Sequence, residues 1–152
     1  FNVIAPKIDE NTRFLDLCAG TGAIGIEAIS RGASHATFVD RSRRSCALIE
    51  ENLDTLAVPE EQTEVLSLSA ENFAGRQHAE GWDIVFFDPP YAMNYSPVLH
   101  EFGTAASRLL NDGGVLVVEH HAKTELPDAV GHIRRWRILK QGETRLSFYD
   151  RS

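Results

Sequence analysis

The chain has 152 residues, 43% hydrophobic and 24% charged, enough apolar material for one globular domain (residues 1–152) with its own core. Its formal net charge of −7 argues against a broad nucleic-acid footprint, and no apolar run approaches the roughly 20 residues of a membrane span. No signal peptide opens the sequence. Cys18 and Cys46 have neither disulfide-framework nor zinc-site spacing, so both are expected as buried thiols in a reducing, cytoplasmic compartment. Residues 1–6 read as the tail of an interrupted helix, and a preceding segment is expected.

The first strand is expected at residues 14–18, followed directly by Ala19-Gly20-Thr21-Gly22-Ala23-Ile24-Gly25. Gly20 and Gly22 permit a sharp turn and close approach to a ligand, and Gly25 lets the next helix lie close to a sheet. That helix is expected from about residue 23 to 31, with Gly32 as a left-handed cap. Residues 36–39 form the second strand. Asp40 stands at its carboxyl end, where an acid roughly 20 residues beyond a glycine turn grips a ribose diol. The spacing G-x-G-x-x-G also fits a nicotinamide dinucleotide. Asp16, however, would set negative charge against a pyrophosphate, whereas the amino group of a methionine moiety welcomes a carboxylate. The balance favours S-adenosylmethionine, with a structural Asp16 that bonds loop amides as the alternative.

From residue 42 to 57, Cys46, Ile49, Leu53 and Leu56 fall three or four apart, the stripe of an amphipathic helix. Arg41, Arg43 and Arg44 at its start oppose the helix dipole. They read as solvated charges, with a phosphate contact as the minority alternative. A third strand is expected at 64–68. Ser69-Ala70-Glu71-Asn72 follows where an adenine ring would lie, with the Ala70 backbone reading its edge and Glu71 or Asn72 its amine. Ser69 reads equally well as a helix cap.

Residues 82–87 are apolar enough for a strand buried on both faces, and Asp88-Pro89-Pro90-Tyr91 follows without a break. Adjacent prolines cannot continue a ladder, so the chain turns out at the strand's carboxyl end, where open α/β sheets bind ligands. Asp88 and the Pro89 carbonyl offer acceptors and Tyr91 a stacking face, a set suited to a planar base with an exocyclic amine. Ser96 is expected as the N-cap of a helix with Pro97 at its first position. Val98, Leu99, Phe102, Ala106, Leu109 and Leu110 carry its apolar face to Asn111, with Gly113-Gly114 as the stop. Residues 115–118 form another buried strand, and Glu119 at its end is expected to face the cleft. His120 and His121 point to opposite faces of a strand, which argues against a metal. Residues 134–139 and 144–149 alternate around Gln141-Gly142 as a β-hairpin. Trp136 and Ile138 are expected on one face, with Leu146 and Phe148 on the partner's inner face. Arg134, Arg135, Arg137, Lys140 and Arg145 make it locally basic, fitting either an RNA guide or an edge protected against aggregation.

This order resembles the class I methyltransferase fold: an α/β, Rossmann-like, mostly parallel seven-stranded sheet with helices on both faces and a C-terminal antiparallel hairpin. In finer detail the chain resembles the RsmD family of bacterial 16S rRNA guanine-N2 methyltransferases. The stretches that carry this are residues 1–6, 14–28 and 30–33, Asp88-Pro89-Pro90-Tyr91, Glu119-His120 and residues 144–149. The resemblance implies transfer of a methyl group from S-adenosylmethionine to the N2 amine of a guanine, with S-adenosylhomocysteine as the product. It puts Asp88, Pro89, Pro90 and Tyr91 at the chemistry. Asp16, Ala19, Gly20, Thr21, Gly22, Asp40, Arg41, Ala70, Glu71 and Asp88 fall at the cofactor. The partner is 16S rRNA or a small-subunit particle, the protein a cytoplasmic monomer without metal or membrane. The family's basic N-terminal hairpin and helix have no counterpart in this sequence. The Asp-Pro-Pro-Tyr stretch also resembles that of adenine-N6 methyltransferases acting on DNA, and a non-catalytic RNA assembly factor is the rival outside enzymes.

Overall fold

Short apolar runs separated by helices that have one apolar face leave a chain few options beyond a parallel sheet covered on both sides. The structure, a computed structural model, describes residues 1–90 and 93–151. Tyr91 lies outside the described residues. In chain order the elements are β1 (Arg13–Leu17), α1 (Ala23–Ser30), β2 (His35–Asp40), α2 (Arg43–Thr55), β3 (Thr63–Ser67) and α3 (Ala70–Ala74). There follow β4 (Trp82–Phe87), α4 (Ser96–Gly103), β5 (Leu110–His121), β6 (Ala129–Val130), β7 (Ile133–Gln141) and β8 (Thr144–Arg151). The described strands make one sheet in the order β3-β2-β1-β4-β5-β8-β7-β6. The first five are parallel to one another, whereas β8 is antiparallel to both β5 and β7. Two-residue β6 adds an eighth strand to the seven expected.

Alternation along the central strands divides the core. Leu15, Leu17, Val85, Phe87, Leu116 and Val118 pack against Phe73 of α3 and Leu99 and Phe102 of α4. Phe14, Ile84, Phe86, Val115 and Val117 face Ala28 of α1 and Ile49 and Leu53 of α2. The Ser42 hydroxyl accepts the Ser45 N–H at 3.2 Å and starts α2. Leu56, expected on the apolar stripe, lies beyond the helix and is exposed. At the amino end the Ala5 N–H donates to the Phe1 carbonyl at 2.8 Å, a single helical turn before β1.

Non-local contacts override the sequence pattern in two places. Helix α4 takes Ser96 into its first turn, with Tyr95 rather than Ser96 at the cap position and no side-chain cap bond. It stops at Gly103, well short of Asn111, because Gly103 abuts the Val130 carbonyl where a Cβ would not fit. The Arg151 guanidinium then takes the carbonyls of Phe102 and Thr104 at 3.0 and 3.1 Å. Leu109 and Leu110 are buried by the strand instead: the Trp82 N–H donates to the Leu109 carbonyl at 2.9 Å and Trp82 pairs with Leu110. Gly113 and Gly114 form an irregularity within β5 rather than a helix stop, and Ala106 is exposed. In the hairpin, the register shifts between Arg135 and Arg137. Trp136 therefore leans on Phe148 with ring centroids 5.5 Å apart, while Ile138 turns to the other face opposite Ser147. Both stay exposed, and Leu139 opposite Leu146 packs against the core.

Gly25 carries the closest helix–sheet approach, for a Cβ there would overlap the buried Phe38 ring. Alanine gains about 1 kcal/mol of helix propensity, but overpacking a rigid ring costs about 1–3 kcal/mol. Gly25→Ala should therefore lower stability by about 1 kcal/mol in urea unfolding. A net gain would show that α1 can lift from the sheet freely.

Candidate active site

The turn after β1 is built from backbone conformations that most side chains avoid. Cys18, Gly20 and Gly22 have φ of 67°, 58° and 82°, and the value at Cys18 is strained for a residue with a Cβ. The turn is held by bonds from outside itself. The Cys18 and Ala19 N–H groups both donate to the Val39 carbonyl, at 2.8 and 3.0 Å. Gly22 precedes the first turn of α1 and donates to the Ala19 carbonyl. The exposed Thr21 offers its carbonyl to Asn52 at 3.1 Å.

Two carboxylates tether this loop. Buried Asp16 accepts the Gly25 N–H at 3.0 Å. Asp40, at the end of β2, accepts the Gly20 N–H on one oxygen and the Ser42 N–H on the other, each at 2.9 Å. The loop-bonding role weighed for Asp16 is thus present. A carboxylate offers about four acceptor positions, so Asp40 retains capacity for a ligand. Burial, partly opposed by the Gly25 amide and reinforced by the charges of Asp88 and Asp40, pushes the Asp16 carboxyl up to about 7. Burial together with the charges of Asp40, Asp88 and Asp16 pushes the half-buried Cys18 thiol up to about 12. Such a thiol is no nucleophile. It does report that the three acids converge on one place.

Asp88 follows β4, and its N–H donates to the Leu17 carbonyl at 3.3 Å, which fixes it beside the glycine turn. Pro89 is buried, and the exposed Pro90 offers its carbonyl to Met93 at 3.0 Å. Because Phe87 pairs with Val118, the next residues, Asp88 and Glu119, come together and line the same cavity. Both carboxyls are raised above their ordinary range, Asp88, exposed at the surface, by partial desolvation and Glu119 by burial plus the charge of Asp88. Tyr95 donates to the Glu119 carbonyl at 3.4 Å and sets its ring edge against Phe87 and His120. Asp88, Pro89, Tyr95, Glu119, Lys123 and Thr144 line a cavity of about 230 Å³. Glu119 also borders an apolar cavity of about 210 Å³ against Phe1, Ile24 and Phe86. A larger cavity of about 420 Å³ lies by Arg76, His78 and Arg108, at the end of the sheet away from the glycine turn. Volume therefore does not mark the site, and the carboxylates do.

Among the remaining expected site residues, Ala70 is buried at the first turn of α3, Glu71 is exposed, and the Ser69 hydroxyl caps that helix by accepting the Asn72 N–H at 3.1 Å. Leu68 donates to the Asp40 carbonyl at 3.1 Å, so this corner adjoins the end of β2. Arg41 is exposed and forms no ion pair among the described residues. His120 bonds the Ser147 hydroxyl at 2.7 Å and the Thr124 carbonyl at 3.0 Å, and burial holds its pKa below the usual range. Among the described residues no cluster of His, Cys, Asp and Glu is arranged to hold a metal. Glu119, expected to face the cleft, does line it, and Tyr95 joins it there beyond the motif residues. The signal for Glu119 was its place at the carboxyl end of a buried strand.

A cleft of three converging carboxylates suits a cationic ligand, and a pyrophosphate would be repelled. A parallel sheet that reverses at β1 and β4 and ends in an inserted antiparallel strand is, with that cleft, a class I methyltransferase domain. Comparison with known proteins narrows the class. The family model described as "Conserved hypothetical protein 95" matches residues 1–150, and the chain belongs to this family, the RsmD-type methyltransferases. It is 35% identical over 153 residues to YlbH of Bacillus subtilis, provisionally named an rRNA methyltransferase, covering 99% of this chain and 82% of that protein. It is 31% identical over 157 residues to ribosomal RNA small subunit methyltransferase D of Escherichia coli K12, covering 99% and 74%. The solved structure of a conserved hypothetical protein of Streptococcus pyogenes superposes with a TM-score of 0.87 at 31% identity, covering 100% of this chain and 92% of that one.

The Asp16 carboxyl yields a pH prediction. Its pKa is raised from 3.8 to about 7 on folding. The folded state thus keeps a proton that the unfolded chain loses, and stability declines as pH rises through that window. The displacement corresponds to about 4 kcal/mol at most. Asn keeps the acceptor for Gly25 but does not titrate. Asp16→Asn should flatten the decline between pH 4.5 and 8 by on the order of 2–4 kcal/mol, read from urea midpoints. Parallel pH profiles would show that Asp16 is charged in the folded state.

Proposed function

We propose that this protein transfers a methyl group from S-adenosylmethionine to the exocyclic N2 amine of a guanine in 16S rRNA. The observation that carries the proposal is the juxtaposition of Asp88 and Glu119 at the adjoining carboxyl ends of β4 and β5, where both line one cavity beside an acid-lined glycine turn. The relatives' names support rRNA as the substrate class. Bound S-adenosylmethionine supplies an electrophilic methyl carbon on a sulfonium and leaves as S-adenosylhomocysteine.

The residues divide the work by position. Asp40 keeps acceptor capacity for ribose hydroxyls, and Asp40 with Asp88 supplies a negative field for the ammonium and sulfonium charges, whose presence would in turn favour the ionised form of Asp16. The start of α3, with Ala70 and Glu71, borders the adenine. Arg41 lies at the ribose end, beside Asp40. On the acceptor side, a guanine N2 amine is a weak nucleophile because its lone pair is delocalised into the ring. The Asp88 carboxylate and the Pro89 carbonyl accept its two N–H bonds, favouring a pyramidal nitrogen with a usable lone pair. Glu119 stands beside Asp88 at the end of the neighbouring strand and orients it towards the amine. Asp88 then receives the proton that the nitrogen sheds as its bond to carbon forms. Positioning and preorganised charge do most of this. Tyr91, next in the chain after Pro90, stacks on the base in this scheme, a contact worth about 1–3 kcal/mol. A base inside a helix must first be flipped out, at a cost of a few kcal/mol. We place the protein in the cytoplasm as a monomer acting on 16S rRNA or a small-subunit particle. No helix among the described residues is long and apolar enough to cross a membrane.

Incubation with methyl-labelled S-adenosylmethionine and 16S rRNA, followed by digestion to nucleosides, should give labelled N2-methylguanosine. Labelled N6-methyladenosine would reassign the substrate. In the same assay Asp88→Ala should reduce transfer by at least about 100-fold, the scale of a lost preorganised acceptor, with cofactor affinity changed by only a few fold. Transfer within threefold of the parent would make Asp88 a structural corner.

Asp40→Ala should weaken S-adenosylmethionine at least tenfold by calorimetry, since a hydrogen bond to a charged acceptor contributes about 1.5–3 kcal/mol. Unchanged affinity in a folded variant would remove Asp40 from the ribose.

A further inference from the structure

Charge is distributed against the average of this chain. Six of the fifteen lysines and arginines fall in β7 and β8, which with their turn hold only two acids, Glu143 and Asp150. Some of these cations are already committed. Arg135 is paired with Asp128 at 2.7 Å, Arg151 is bonded to the carbonyls that end α4, and Arg134 stands opposite Asp150. Lys140 and Arg145 are different. They are direct cross-strand partners, a like-charge pairing that destabilises a hairpin, and among the described residues neither forms an ion pair. Among the described residues the Arg145 guanidinium donates to the carbonyls of Gly142 and Thr144.

Register places this pair beside the reacting groups. His120, Arg145 and Lys140 lie in one row across β5, β8 and β7, and the row before it begins with Glu119. Strands are about 4.8 Å apart and residues about 3.4 Å apart, so the Arg145 backbone lies within roughly 6 Å of that of Glu119. His120, Arg145 and Lys140 share the sheet face on which Tyr95 packs against His120. The cavity beyond Asp88 opens there, with Lys123 and Thr144 on its rim. Exposed Lys123 adds a third cation without an ion pair among the described residues.

We propose that Lys123, Arg145 and Lys140 form the track for the RNA backbone flanking the target nucleotide, running from the Asp88 cavity onto the β7–β8 hairpin. The occupant is single-stranded polyanion, because the track is narrow, cationic and contiguous with a pocket that takes an unpaired base. Phosphates offset the Lys140–Arg145 repulsion that the free protein bears. The proposal rests on the reading that the substrate is RNA. The competing use of basic residues on a strand near a sheet edge is to prevent edge-to-edge aggregation, and glutamate serves that purpose as well as lysine. Charge reversal therefore separates the two.

The test uses the full chain and the triple variant Lys123→Glu, Lys140→Glu, Arg145→Glu. Binding of a short fluorescein-labelled single-stranded RNA is followed by anisotropy across a salt series, with S-adenosylmethionine affinity and thermal stability measured alongside. Each lost phosphate contact lowers the log K against log salt slope by about 0.7, so the slope should fall by about 2. Binding at low salt should weaken at least tenfold, while cofactor affinity stays within twofold and the protein remains folded. If the variant unfolds, the single variants carry the same test, each expected to lower the slope by about 0.7. An unchanged slope in a folded variant overturns the track and leaves edge protection as the role of these cations. Methyl transfer to 16S rRNA by the parent protein is scored separately. Its absence alongside an altered slope would defeat the proposed reaction and spare the track. Its presence alongside an unchanged slope would do the reverse.

Discussion

Strands β1 and β4 lie side by side, but the chain leaves them towards opposite edges of the sheet. That divergence opens a crevice beyond their carboxyl ends which neither connection fills. The glycine turn follows β1 and the Asp88 corner follows β4, so both border the crevice by necessity of the strand order. One backbone bond, from the Asp88 N–H to the Leu17 carbonyl, joins the two loops where they meet. The positions of Asp40 at the end of β2 and Glu119 at the end of β5 follow from the same parallel registers.

The crevice is held in an electrically costly state. Asp16, Asp40 and Asp88 converge without an opposing lysine or arginine in an ion pair among the described residues. The cost shows in the raised Asp16 carboxyl and the raised thiol of Cys18. Backbone amides offset part of it, through Gly25, Gly20 and Ser42. A bound cation would offset more. Preorganised negative charge of this kind favours a sulfonium ligand, and it disfavours nucleotides whose phosphates would enter the same space.

Insertion of β8 between β5 and β7 has a consequence for the acceptor side. Because β8 runs antiparallel to β5, its first residues lie beside the last residues of β5. The hairpin turn and its cations are thereby delivered to the end of the sheet where Asp88 and Glu119 stand. A seventh parallel strand would have sent that turn to the far end, beside the cavity at Arg76 and Arg108.

What the sequence determined by itself was whatever depends on adjacent residues. The glycine turn, the Ser69 cap, the Gly32 positive φ and the Asp88 corner were legible because φ restrictions and capping act over a few positions. Strand order and the placement of Asp16, Asp40 and Asp88 at one end followed from that local grammar and from the family resemblance. Tertiary structure alone decided where long-range contacts outweigh local preference. The apolar period predicted a helix through residue 111, but the Gly103–Val130 contact and pairing of Trp82 with Leu110 made its last turns a strand. Strict alternation put Trp136 and Ile138 on one face, and a register shift separated them. The juxtaposition of Asp88 with Glu119 and the Lys140–Arg145 pairing were decided in the same way. Their members are distant or unremarkable in sequence, and they meet only because hydrogen-bond register, a property of two strands together, sets who stands beside whom.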